Sequence, residues 1–138
     1  MTWTLPTDFP DRPYQNTPED RQSIFSAVWD WFIAQSHPVC VVNGNCRYRN
    51  ETGTNACAIG IFLPPGLMTE LEGGVSRLYS LYPTKMTRIF AKELEPFLSN
   101  LQCLHDWSIS SEKSENYIST DSLKQFARKN NLIVPVGP

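Results

Sequence analysis

Charge is scarce in this chain, and neither sign is in marked excess. Charged residues make up 19% of the sequence, with 12 Lys and Arg against 14 Asp and Glu, for a net charge of −2. Without a basic surplus, binding nucleic acid by bulk positive charge is disfavoured, and so is a polybasic membrane anchor. Histidine is rarer still, at 2 residues, and there are 4 cysteines, too few at this length for a disulfide-stapled scaffold. Long apolar runs are missing as well. The most apolar stretch, residues 56–65, is too short to span a bilayer. The start, Met1-Thr2-Trp3-Thr4-Leu5-Pro6, carries neither a basic cluster nor an apolar run of signal-peptide length. The expectation is a cytosolic chain with reduced thiols and no contact with membrane. Against these shortages stand 138 residues that are 41% hydrophobic and 12% aromatic. That is enough for one domain with a true core, and it argues against wholesale disorder.

Residues 1–17 hold Pro6, Pro10 and Pro13. Proline removes backbone donors and blocks helix, so an extended arm is expected here, ahead of a single domain over residues 18–138. Trp3, Leu5, Phe9 and Tyr14 are apolar enough to pin the arm to the body. Such an arm can also be exchanged between copies or offered to a partner, which leaves a homodimer open. Thr17-Pro18-Glu19-Asp20 is a helix start: a capping hydroxyl, a proline suited to the first turn, and acids that complement the helix dipole. Ile24, Phe25, Val28, Trp29, Phe32 and Ile33 then follow at helical spacing, with Asp30 and Trp31 off the stripe.

Val39-Cys40-Val41-Val42, Asn43-Gly44 and Cys46-Arg47-Tyr48-Arg49 read as strand, two-residue turn and strand. A third strand over residues 55–62 would complete a meander; the alternative is a short buried helix, since Ala and Gly are poor strand residues. Helical segments are expected from Val75, from Thr84 as a cap, along one face from Met86 to Leu104 interrupted by Pro96, and after a Thr120-Asp121 cap. Residues 108–119 read as a solvated loop. The expected fold is therefore α+β, a small antiparallel β-hairpin or three-stranded meander packed against three or four helices.

In that register Val41 faces Cys46, and Cys46 lies opposite Cys57 if the third strand forms. Three readings of the pair stay open. They are two small buried hydrophobes, a disulfide or redox pair, or a metal site in which Cys46 and Cys57 are joined by His105 or His37. Zinc would suit the last, although no CxxC knuckle is present; otherwise no cofactor is expected. His105-Asp106 closes the long helix, with Gln102 four residues before Asp106, so a helix-terminal network competes with a Cys-His-Asp constellation. Arg47 and Arg49 share a strand face and could grip a phosphate or carboxylate, with Tyr48 between them; pairing with Glu51, Glu70 or Glu72 is the plainer reading. No catalytic motif is visible.

Taken together, Cys46-Arg47-Tyr48-Arg49, Cys57-Ala58-Ile59-Gly60, Glu72-Gly73 and Leu101-Gln102-Cys103-Leu104-His105-Asp106, closing with Phe126-Ala127, form a recognisable string. It resembles a family of small, mostly uncharacterised bacteriophage and prophage proteins with a CxYR, CAxG, EG, LQxxHD pattern, over roughly residues 22–132. The chain departs from that pattern after Pro64, where Pro65-Gly66-Leu67 replaces a more polar, tyrosine-bearing segment. The resemblance implies no established activity. It points to a small accessory protein that binds, and most simply inhibits, a host protein or defence complex. The motif residues Arg47, Tyr48, Arg49, Glu72, Gln102, His105 and Asp106 are then candidates for binding. A Cys/His-dependent enzyme or metalloprotein is the alternative, and a nucleotide-signal binder using Arg47 and Arg49 is another.

Overall fold

The computed structural model describes residues 2–38, 41–42, 45–46, 56–64, 75–107 and 118–135. These residues are mainly helical, which corrects the α+β expectation. Helix α1 spans Pro18–Trp29 and continues through a wider π turn, Asp30–Ala34. Helices α2 (Val75–Leu81), α3 (Pro83–Thr87), α4 (Glu95–Trp107) and α5 (Thr120–Lys129) follow, with 3-10 turns at Gly60–Phe62 and Lys92–Leu94. Among the described residues the two strands are β1 (Val41–Val42) and β2 (Asn45–Cys46), antiparallel with Val41 opposite Cys46. Among the described residues these rungs make no sheet layer for helices to pack on. The core is built from helix faces and a buried loop instead.

The start of α1 follows its sequence. Thr17 accepts a hydrogen bond from the Asp20 amide at 3.2 Å, and Pro18 occupies the first turn. Ile24, Phe25, Val28 and Phe32 are buried. Trp31, off the helical stripe by spacing, is also only 5% exposed. The π turn explains this. The Gln35 amide reaches back five residues to the Asp30 carbonyl at 2.8 Å. The extra residue per turn swings Trp31 inward. Its ring stacks on His37 at 3.7 Å, and burial holds the His37 imidazole below its ordinary pKa, favouring the neutral ring.

Residues 56–63 cover most of the stretch, 55–62, where the third strand was expected. They thread through the centre of the molecule, each of them buried, and wind into the Gly60–Phe62 turn. Ala56, Cys57, Ala58 and Gly60 are small enough for the backbone to pass between helices. A buried backbone must satisfy its polar groups, and this one does so largely by local bonds. The Ile61 amide donates to the Cys57 carbonyl (3.1 Å), Phe62 to Ile59 (3.0 Å) and Leu63 to Gly60 (3.1 Å). The Gly60 amide lies 3.3 Å from Cys57 Sγ. The Ile59 amide is met from outside the segment, by Gln102 Oε1 of α4 at 3.2 Å.

The long apolar face from Met86 is not one helix. The chain turns at 88–91, and Pro96 sits in the first turn of α4 rather than inside a longer helix. Two caps also shift. Pro83, not Thr84, opens α3, and Ser119 caps α5 by accepting from the Ser122 amide at 3.2 Å. Side chains Met86, Ile89, Phe90, Leu94, Leu98, Leu101 and Leu123 are fully buried, each worth roughly 1.5–3 kcal/mol of transfer free energy. Helix α4 touches both α2 and α5.

The arm is docked. The Trp3 indole donates to the Ile61 carbonyl at 3.0 Å, and its ring lies 5.0 Å from Phe62. The Trp3 amide donates to Asp30 Oδ2, and its carbonyl accepts from Gln35 Nε2 at 2.9 Å. Further on, Tyr14 pairs in parallel with the 89–91 segment: its amide donates to Ile89 and its carbonyl accepts from Ala91, both at 2.8 Å. The Arg88 guanidinium covers the Phe9 ring at 3.9 Å.

The 89–91 segment is also held from α2, where the Tyr79 hydroxyl lies 3.1 Å from the carbonyls of both Phe90 and Ala91. Both phenols ionise above the ordinary 10.0: Tyr14 through burial and then Asp20, Tyr79 through burial and then Glu95 and Glu93. A raised tyrosine pKa stabilises the fold fully below the unfolded value of about 10, and that stability falls as pH rises past it. Titration at 295 nm with circular dichroism should show two phenols ionising at higher pH than an exposed tyrosine while helicity persists. Complete ionisation near pH 10 with helicity intact would contradict this assignment.

Candidate functional site: a groove along α1

One face of α1 carries Gln22, Ser23, Ser26, Ala27 and Asp30, continued by Ala34 of the π turn. These are four or fewer apart and share one side of the helix. Ser and Ala leave little side-chain bulk there. The neighbouring chain crosses that face without filling it. On one side lies the arm, with Trp3 and residues 10–14; on the other is Pro135, after α5. Between them is a groove of about 770 Å³, within the size range of binding clefts.

Both walls are tied to α1. Asp30 and Gln35 hold the Trp3 backbone, and Asp20 Oδ2 accepts from the Gln15 amide at 2.7 Å. On the far side, α5 ends in a Schellman turn. Asn131 adopts φ 56°, and the Leu132 amide donates to the Ala127 carbonyl at 2.8 Å. That reversal brings Ile133 over α1. There the Gln22 side chain donates to the Ile133 carbonyl and accepts from its amide, each at 2.8 Å. One wall of the groove is thus held by a contact 111 residues apart in sequence.

Its lining is aromatic and polar together. Trp3, Tyr14 and Trp29 contribute ring surface, Pro10 and Pro13 apolar edges, and Asp11, Arg12, Asp20 and Asp30 charge. Asp30 is held at Oδ2 by the Trp3 amide and by Gln35 Nε2, the latter at 2.7 Å. Its second oxygen keeps its acceptor capacity.

The residues singled out by sequence are placed differently. Arg47, Tyr48, Arg49 and Glu72 lie outside the described residues. His105 and Asp106 fall in the last turn of α4, their side chains outside the description. Gln102 is 5% exposed and serves the backbone of Ile59, so it faces the interior rather than a ligand. Of the thiols, Cys57 is fully buried and not bridged, and Cys103 is free and half-buried. Cys57 itself lies in no strand. The proposed set Cys46, Cys57 and His105 falls partly outside the description. Among the described residues no group of three or more His, Cys, Asp or Glu side chains could hold a metal ion. Among them, too, no helix is long and apolar enough to cross a membrane.

Comparison of the chain with protein-family models, with curated proteins and with solved structures finds no match.

Proposed function

We propose that this chain acts by binding, and that it captures a segment of another protein in the groove along α1. The groove itself carries the reading: a cleft of about 770 Å³ with aromatic and proline edges and a few placed charges, framed by two tethered straps. Of its polar groups, Gln22, Asp20 and Asp30 hold the walls, and Ser23 and Ser26 bond within α1. No nucleophile and base converge there. Cys57, one of the thiols weighed for metal or redox chemistry, is sealed in the core. The phage-type resemblance supplies the biological setting, an accessory protein that occupies and blocks a host protein or defence complex.

Groove filling tests the idea. Ser26→Trp puts an indole into the cleft from a helical position that tolerates it. The expected result is a melting temperature close to the parent's, with capture of host protein reduced about tenfold or more, the effect of removing roughly 1.4 kcal/mol of binding. Undiminished capture by a folded variant would reject the groove. If no host protein co-purifies with the parent chain and its expression leaves phage restriction unchanged, the host-inhibitor reading fails.

A further inference from the structure

We infer that the groove takes an extended, polyproline-type segment of about six residues bearing a lysine or arginine. The inference rests on the binding reading above and names the chemistry of the partner. Three features carry it.

The first is length. The floor runs from Gln22 to Ala34. At 1.5 Å per residue that is about 18 Å, which an extended polyproline-type chain at 3.1 Å per residue covers with about six residues.

The second is the wall. An added β-strand needs alternating backbone donors and acceptors along the edge it joins. Pro10 and Pro13 supply no N–H there, so a continuous ladder cannot form. Recognition must instead be led by side chains packing among rings and prolines, as in aromatic-lined grooves that accept polyproline helices. Trp3 and Tyr14 stand at the arm side of the cleft, with Trp29 on the helix.

The third is charge. Asp11, Asp20 and Asp30 face a single base, Arg12, in the lining. The surroundings agree: residues 1–46 carry Asp8, Asp11, Glu19, Asp20 and Asp30 against only Arg12 and Arg21. The field in the cleft is therefore negative and favours a cationic side chain over an acidic one. Asp30 has an unused oxygen to meet it, and Pro10 and Pro13 with Trp3 offer apolar surface to its stem. Arg12 suits a backbone carbonyl of the same segment.

A random hexapeptide library, displayed on beads and selected with the full chain, reads this out directly. Ser26→Trp serves as the control, with Ser23→Trp replacing it should the first fail to fold. The expected result is about tenfold enrichment of Lys or Arg at one or two positions, beside proline, that disappears with the groove-filled variant. Enrichment of aliphatic or acidic residues that also disappears on filling overturns the inference but leaves the groove a binding site. Enrichment equal for parent and filled variant, or none at all, overturns both.

Discussion

Phe62→Ala is expected to lower stability by about 3–5 kcal/mol, the range for truncating a buried aromatic. Phe62 is 3% exposed and sits where three separate parts of the chain meet. Trp3 packs on it at 5.0 Å, Tyr14 meets it edge-on at 5.7 Å and Phe90 edge-on at 5.3 Å. Two of those rings belong to the arm, so the truncation removes the shared floor beneath both ends of it. Backbone bonds at Trp3 and Tyr14 remain, but each loses the ring contact that shields it from water. Two effects should therefore appear together. Urea denaturation should show a loss of several kcal/mol, against the 5–15 kcal/mol typical of a whole domain. Limited proteolysis should cut within the arm well before the helices, because an undocked arm exposes backbone that the parent holds. Without its arm wall the groove also loses Trp3 and Tyr14, and hexapeptide capture should fall with docking. A loss below about 1 kcal/mol, as for an ordinary surface substitution, would show that the arm is held by its backbone bonds alone.

How far the fold could be read in advance depended on whether its determinants were local. The start of α1 was legible because Thr17, Pro18 and Asp20 act within one turn, and the apolar stripe behind them faces the core as its spacing requires. Trp31 was misplaced because a periodicity of 3.6 does not foresee a π turn, whose cause lies in how Asp30, Gln35 and the arm lock together. Residues 56–63 were ambiguous for a physical reason. Small and β-branched residues in a short apolar run fit a buried strand or a buried turn equally, and the choice is made by what surrounds them. The α+β expectation failed there, because the described residues are mainly helical, while at the hairpin the expected register, Val41 opposite Cys46, is the one found.

The groove was less legible still. Gln22, Ser23, Ser26 and Asp30 have the composition of an ordinary solvated helix face. Only the arm and the Ile133 strap, brought back from the two ends of the chain, turn that face into a cleft. The arm's apolar residues did hint that it would dock, though not that Tyr14 would pair with the 89–91 segment. Of the motif residues that attract the eye in the sequence, Gln102 and Cys57 accept the neighbouring amides of Ile59 and Gly60 inside the core.

Gln102 allows that distinction to be measured. In Gln102→Leu the side chain keeps nearly its volume but loses the oxygen that receives the Ile59 amide. Ile59 is fully buried, so no water can replace that oxygen without opening the core. An unsatisfied buried donor costs about 1–3 kcal/mol, and the gain from a more apolar side chain offsets only part of it. The expected result is a chain that unfolds at lower urea with an unchanged dependence on urea, since the surface exposed on unfolding is the same. Once corrected for the folded fraction, its hexapeptide capture should match the parent's, because Gln102 does not line the groove. The opposite pattern, undiminished stability with capture lost, would return Gln102 to the role its motif suggests, a residue that touches the partner. Mutating Gly60 or Cys57 could not separate these cases, because either change also alters packing where the backbone threads between helices. Gln102 separates them because leucine removes the oxygen that receives the Ile59 amide with little change of side-chain shape.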